Sequence, residues 1–356
     1  MGYSSALATF FVSLVIVVFI NEIDGKPLVP AFFIFGDSSF DVGNNNNLPT
    51  TIKANFPPYG RDFMNHIPTG RFCNGKLTID FASEFLGFIS YQPAYLNLYI
   101  KGKNLLNGAN FASSGSGYHE STAKLYKSIS LNQQLEFYKD SQNELMKIAG
   151  RSDALSIIFG AVYLVGAGTG DFLLNYYMNP LLYNVYTPDQ FSDIVVGCYA
   201  NFIQNLYALG ARKIVVTTLT AIGCLPATIT LFGPAHSNKC VVKINNVAIN
   251  FNRKLNSTSV NLRKVLPRLN LVLLDIYQPL YNLVTEPSKY GFSEARNSCF
   301  GTNLLERTSI FRDKNVIVRL CANASNYVFW DDLHPTEAAN KYFADKLILE
   351  GISVIH

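Results

Sequence analysis

Charge is scarce in this sequence. Asp, Glu, Lys and Arg make up 15% of its 356 residues, and 29 Lys and Arg against 25 Asp and Glu leave a formal net charge of +4. So small and dispersed an excess makes no electrostatic footprint for a polyanion, which excludes nucleic acid as the expected partner. The apolar run Ala6 to Ile20 falls short of the roughly 20 residues that a membrane-spanning helix requires. Six cysteines contain no CxxC pair, against a zinc site or a thioredoxin-type redox centre. Neither GxGxxG nor GxxxxGK[ST] follows a strand, so no phosphate cradle is expected. The GxSxG elbow of many α/β serine hydrolases is also missing. No low-complexity linker or fixed-period repeat divides the chain.

What is present begins with hydrophobic residues, 49% of the chain, enough to bury a full core in one large α/β domain. The apolar stretch to Ile20 is followed at once by polar Asn21 to Lys26, the layout of a signal peptide. Residues 1–25 are therefore expected to be removed by cleavage between about 20 and 27, leaving 26–356 as a single catalytic domain. The first five residues lack Lys and Arg, and an uncleaved anchor is the alternative. Secretion into an oxidising, extracellular compartment would let cysteines pair. Cys224 with Cys240 and Cys299 with Cys321 each close a short loop rich in turn residues, leaving Cys73 and Cys198 as free thiols. The sequons at Asn256 and Asn323 are candidate glycan acceptors.

Short apolar runs at Ala31 to Phe35, Ser156 to Val165, Lys213 to Thr218 and Leu271 to Ile276 read as buried strands. Longer helical patterns separate them. Thr187 is placed as N-cap, Pro188 at the first helical position and Gln190 to complete a capping box, with Gly210 ending the segment. Val241 to Leu266, Leu77 to Leu86, Leu131 to Ile148 and Pro335 to Leu349 are further helices. Strands alternating with helices predict a mostly parallel sheet covered on both faces. The chemistry is then expected just after the strands, at the carboxyl edge.

Directly after the first strand, Phe35-Gly36-Asp37-Ser38-Ser39 places a serine on a tight turn at that edge. Ser38 is either a nucleophile or the cap of a helix or turn that begins there. Of the five histidines, only His334 has a telling neighbourhood. Asp331 lies three residues before it, and a turn would bring that carboxylate to Nδ1 and leave Nε2 for a serine. The competing reading makes Asp331 or Asp332 an N-cap and His334 a surface residue. Acyl transfer also needs oxyanion donors, and Asn110 to Gly117 is a small glycine-containing loop whose Gly115 N–H can approach a ligand. Gly43 to Asn47 reads as a polar turn.

In their order along the chain these segments resemble the plant GDSL esterase/lipase family, within the SGNH hydrolase superfamily. The first block is Phe35 to Ser39 followed by Asp41-Val42-Gly43-Asn44-Asn45-Asn46. The second is Gly108 to Gly115, and the last is Tyr327 to Glu337. Pro68 to Gly75 and Gly223 to Pro226 add to the likeness. The resemblance implies a flavodoxin-like three-layer α/β/α sandwich with a mostly parallel sheet. It also implies a secreted serine esterase acting on carboxylic, lipid-like esters, with Ser38 as nucleophile, His334 as base and Asp331 as its partner. Gly115 and Ser38 would supply backbone oxyanion donors, and neither a metal nor an organic cofactor is required.

One block departs from the family. Its asparagine oxyanion donor falls where this chain has Gly170, in Gly168-Thr169-Gly170-Asp171. Losing one such donor costs about 10²–10³ in rate, roughly 3–4 kcal/mol, unless Thr169, Ser116 or a water replaces it. This leaves two alternatives to hydrolysis: transfer of the same acyl group to an alcohol, or binding of a lipid or glycan with weak turnover. The expected partner is a small-molecule or lipid ester substrate, and no obligate protein partner is inferred.

Overall fold

In the computed structural model the described residues are 26–97, 102–234, 239–301 and 319–355. The signal-peptide expectation lies outside them. Four parallel strands form the central sheet: β1 (Phe32–Gly36), β2 (Val162–Gly166), β3 (Lys213–Thr217) and β4 (Asn270–Leu274). They lie in the order β1-β2-β3-β4. On the outer side of β1 the irregular segment 109–113 adds a fifth, parallel line. Ile34 N donates to Ala109 O, and Phe111 N and Ser113 N donate to Ile34 O and Gly36 O. Counted with that segment, the order is 2-1-3-4-5, that of the flavodoxin-like doubly wound sheet, whose direction of winding switches between its first and third strands. Ser38 lies just past β1 at that switch, where ligands bind such sheets.

Each strand is short and almost wholly apolar because both of its faces are covered. On one face Phe33, Phe35, Tyr163, Val165, Ile214 and Val216 pack under α3 (Leu131–Ala149), α5 (Pro188–Ala208) and α6 (Val242–Val265). The opposite face, with Phe32, Ile34, Val162, Leu164 and Val215, meets α1 (Thr78–Phe85) and α7 (Glu337–Gly351). Between α1 and α3 lies the short α2 (Glu120–Tyr126), and α4 (Arg151–Gly160) precedes β2. The expected three-layer α/β/α architecture is therefore met.

Local signals translate directly into structure in places. Thr187 Oγ1 accepts from Gln190 N at 3.2 Å while Thr187 N donates to Gln190 Oε1 at 2.9 Å, the capping box read from the sequence. Two expectations need correction. Ser156 to Gly160 belong to α4 rather than to a strand, and β2 starts only at Val162; periodicity alone does not separate a buried strand from the inner face of a helix. Pro335 lies before α7 rather than in its first turn. Trp330 N donates to His334 O at 2.8 Å and Phe329 bridges Pro335, so the chain is still in a tight turn there, and Thr336 is the N-cap.

Cys224 is joined to Cys240 and Cys299 to Cys321, while Cys73 is buried and Cys198 half-buried as free thiols. The second bridge ties a two-residue ribbon, β5 (Phe300–Gly301) with β6 (Arg319–Leu320), beside the segment that carries His334. Cys299 N and Phe300 N donate to Phe329 O and Trp330 O at 2.9 and 2.7 Å. A separate small core of Tyr59, Phe72, Phe300 and Trp330 backs that segment.

Candidate active site

Immediately after β1 the chain turns within three residues: Asp37 N donates to Gly166 O, and Phe40 N and Asp41 N return to Asp37 O. That turn holds Ser38 half-exposed at the sheet edge. From the far end of the chain His334 brings Nε2 to 2.7 Å from Ser38 Oγ. Its Nδ1 lies 2.8 and 2.9 Å from the two carboxylate oxygens of Asp331. An ionised carboxylate only accepts, so Nδ1 carries the proton and Nε2 is left to accept from the serine hydroxyl. The structure thus places the three residues in one hydrogen-bonded line, and Ser38 is not a helix cap.

Asp331 and His334 are held from several sides. Asp331 Oδ1 accepts from the backbone N–H groups of Leu333 and His334 at 2.9 and 2.8 Å, which closes the turn between them. Asp331 Oδ2 accepts from Tyr59 OH at 2.8 Å. The Phe72 ring lies 4.9 Å from the imidazole. Both Asp331 and His334 are buried, so the imidazole's rotation is restrained by packing and by hydrogen bonds together.

On the other side of Ser38 is the loop that carries Gly115. It is anchored by three buried residues: Asp41 and, from the stretch that reads as a polar turn in the sequence, Asn44 and Asn45. Asp41 Oδ1 accepts from Gly43 N and Asn44 N, and its Oδ2 from Ser114 N. Burial pushes the Asp41 carboxyl up to about 6, against the pull of those N–H groups. Asn44 donates to Asn110 O and Ala112 O and accepts from Leu96 N. Asn45 donates to Ile52 O and Ser114 O and accepts from Ser113 Oγ. Gly115 comes next at φ 82°, a conformation that favours glycine. Among the described residues neither Ser38 N–H nor Gly115 N–H donates to another protein group. Both residues line a cavity of about 100 Å³ together with Phe72, Ser116, Thr169, Gly170 and His334.

Gly170 opens a π-helical segment, Gly170–Tyr177, after β2. A Cβ on it would come within 2.7 Å of Ser116 O. The space that an asparagine would need there is therefore closed by the neighbouring backbone. The loop is held in that position by Asp171, fully buried, which accepts from Tyr118 N, His119 N and Thr122 Oγ1. Burial pushes its carboxyl up to about 7. Thr169, beside Gly170, faces the cavity and its side chain makes no capping bond.

Sequence reasoning missed Tyr59 and Gln134. Gln134, buried in α3, accepts from Gly36 N at 3.0 Å and donates to Gly36 O at 2.9 Å, clamping the backbone from which the Ser38 turn departs. Neither carries a local signal, since its partner is far away in sequence. The Asn44 and Asn45 signal is visible, an asparagine run directly behind the candidate nucleophile, but such a run reads as solvated until the fold is known.

A serine hydroxyl, an oriented imidazole and free backbone donors at one cavity define a class, and comparison with known proteins gives the same one. The family model described as GDSL-like lipase/acylhydrolase matches residues 32–347. The chain belongs to that family and is a carboxylic ester hydrolase. It is 60% identical over 333 residues to a GDSL esterase/lipase of Arabidopsis thaliana, covering 93% of this chain and 91% of that one. Another from that plant is 53% identical over 331 residues, 93% of each chain. The one named GDSL esterase/lipase APG is 52% identical over 336 residues, 94% of this chain and 95% of its own.

Proposed function

We propose that the protein hydrolyses carboxylic esters through a covalent acyl-Ser38 intermediate. The observation that carries this reading is the 2.7 Å contact between His334 Nε2 and Ser38 Oγ, with Asp331 on the other ring nitrogen. Ser38 Oγ attacks the ester carbonyl carbon as its proton passes to His334 Nε2. The carbonyl π electrons move to oxygen, which the N–H groups of Ser38 and Gly115 receive. On collapse the bond to the alcohol oxygen breaks, and the proton on Nε2 goes to that oxygen. Water then attacks the acyl-Ser38 carbonyl, again giving its proton to His334, and the carboxylic acid leaves as Ser38 recovers its hydrogen. Throughout, Asp331 holds the ring in its reactive tautomer and balances the imidazolium.

The placement we propose for this activity is extracellular, with residues 1–25 as a signal peptide and 26–356 as one catalytic domain. Two disulfides suit an oxidising compartment. Asn256 and Asn323 are both exposed, as glycan acceptors must be. Among the described residues no helix is long and apolar enough to cross a membrane. The test is rapid-quench mass spectrometry with a p-nitrophenyl ester. An acyl adduct on the Ser38 peptide that decays to free acid supports the reading. Turnover without any adduct on Ser38, even at the shortest quench and in Asp331→Asn enzyme, opposes it.

A further inference from the structure

Gly170 leaves the oxyanion site with two backbone donors, Ser38 N–H and Gly115 N–H, and no side-chain amide. A Cβ on residue 170 would lie 2.7 Å from Ser116 O and 3.2 Å from Thr122 Cγ2, so the loop that carries Gly115 closes over the space an amide would cross. A protein donor in its stead has to come from a neighbour of that space. Two residues with hydroxyl groups flank it at the cavity, Ser116 and Thr169.

Ser116 is 0% exposed, and its Oγ accepts from Gln134 Nε2 at 3.4 Å, from the same amide that clamps Gly36. Thr169 is placed differently. Gly36 and Gly166 are partners at the ends of β1 and β2, and Asp37 N donates to Gly166 O at 3.1 Å. Ser38 is the second residue past one strand and Thr169 the third past the other, so the chain leaves the carboxyl edge at neighbouring points. Thr169 stands half-buried on the cavity wall, in helical backbone at φ −57° and ψ −44°. A threonine hydroxyl in such backbone commonly bonds back to the carbonyl four residues earlier. Among the described residues Thr169 Oγ1 has no hydrogen-bond partner, so its proton is unclaimed on the wall shared with Ser38 and Gly115.

We infer that Thr169 Oγ1 is the third oxyanion donor, standing in for the missing amide. This rests on the hydrolase reading and adds a catalytic residue to it. The hydroxyl keeps its proton throughout and donates it as a hydrogen bond to the carbonyl oxygen as negative charge gathers there. Such a donor acts on the transition state far more than on the bound ester, so its loss is felt in kcat rather than in KM.

The test is p-nitrophenyl butyrate hydrolysis by wild type, Thr169→Val, Thr169→Ser, Ser116→Ala and Ser38→Ala. Valine keeps the shape of threonine and removes the hydroxyl, whereas serine keeps the hydroxyl. A kcat lower by about 10²-fold or more is expected in Thr169→Val with KM nearly unchanged, and recovery to within about tenfold of wild type in Thr169→Ser. The second readout is inhibition by trifluoroacetophenone, whose carbonyl carbon takes Ser38 Oγ and whose oxygen becomes an anion in the same site. Its Ki should rise in Thr169→Val by about the factor that kcat falls. Activity of Thr169→Val within about twofold of wild type overturns the inference, and so does a larger loss in Ser116→Ala. Should the valine variant fail to fold, Thr169→Ala carries the same expectation and the same refutation. Activity that survives in Ser38→Ala removes the hydrolase reading itself, whereas activity lost in Ser38→Ala and kept in Thr169→Val removes the inference alone. If wild type cleaves no ester, the rate at which paraoxon transfers its diethylphosphoryl group to Ser38 Oγ, releasing p-nitrophenol, decides by mass spectrometry. Slowing of about tenfold or more in Thr169→Val supports the inference; an equal rate, or no transfer to wild type, overturns it.

Discussion

Putting asparagine back at position 170 looks, from sequence alone, like restoring an oxyanion donor worth about 10²–10³ in rate. The structure predicts the reverse. A Cβ at that position would stand 2.7 Å from Ser116 O and 3.2 Å from Thr122 Cγ2. Real Cβ contacts essentially never fall below 3.0 Å, so the backbone of Ser116 must move by several tenths of an ångström. That backbone cannot yield cheaply, because Ser116 N donates to Ser113 O and Asp171 pins the residues just beyond it. Overpacking of this kind costs about 1–3 kcal/mol, or about 1–4 °C in Tm for a chain of this size. The displaced loop also carries Gly115, so a displacement by such amounts lowers turnover about tenfold or more. Gly170→Ala carries the same Cβ without the amide and serves as the control. Thermal denaturation and p-nitrophenyl butyrate hydrolysis of both variants are the assays. Both are expected to be less stable and less active than wild type, to similar degrees. A Gly170→Asn enzyme as stable as wild type and a hundredfold faster would refute the steric argument.

Tyr59→Phe removes one donor from the Asp331 carboxylate; a hydrogen bond to a charged group contributes about 1.5–3 kcal/mol, and kcat should fall about tenfold with KM nearly constant in steady-state assays. Asn44→Ala leaves the buried Ala112 carbonyl and the part-buried Leu96 N–H without their partner, while Asn110 O keeps its bond from Tyr95 N, so a loss of about 2 kcal/mol or more is expected in denaturant titration. Asp171 has a folded pKa raised from 3.8 to about 7, so between those values the folded state holds a proton that the unfolded state has released. Its contribution to stability is therefore present below about pH 4 and lost as pH rises through about 7. The stability of wild type relative to Asp171→Asn should decline over that window, and melting both at pH 4 and pH 7.5 checks the sign.

Where structure is set by neighbours in the chain, it is legible in the sequence. Thr187, Pro188 and Gln190 specify a helix start by themselves, and the spacing of Asp331 and His334 specifies a turn that closes on its own N–H groups. The four strands stand out as short apolar runs because both faces of the sheet are covered. Legibility fails where a residue's partner is distant. Tyr59 meets Asp331 across 272 positions and Gln134 meets Gly36 across 98, and no local pattern encodes either contact. Asn44 and Asn45 mislead for a related reason: an asparagine run suits a solvated turn, and only the fold reveals the carbonyls that it satisfies inside. The closed space at Gly170 is likewise set by the path of a loop 54 residues earlier in the chain.

That Ser38, activated by His334, carries the acyl group is the central claim, and its most direct test is p-nitrophenyl butyrate hydrolysis by wild type and Ser38→Ala at equal concentration. Clear turnover is predicted in the wild type, with a loss of about 10³-fold or more in the variant, in keeping with nucleophile removal in other serine hydrolases. Equal rates in the two proteins would contradict it.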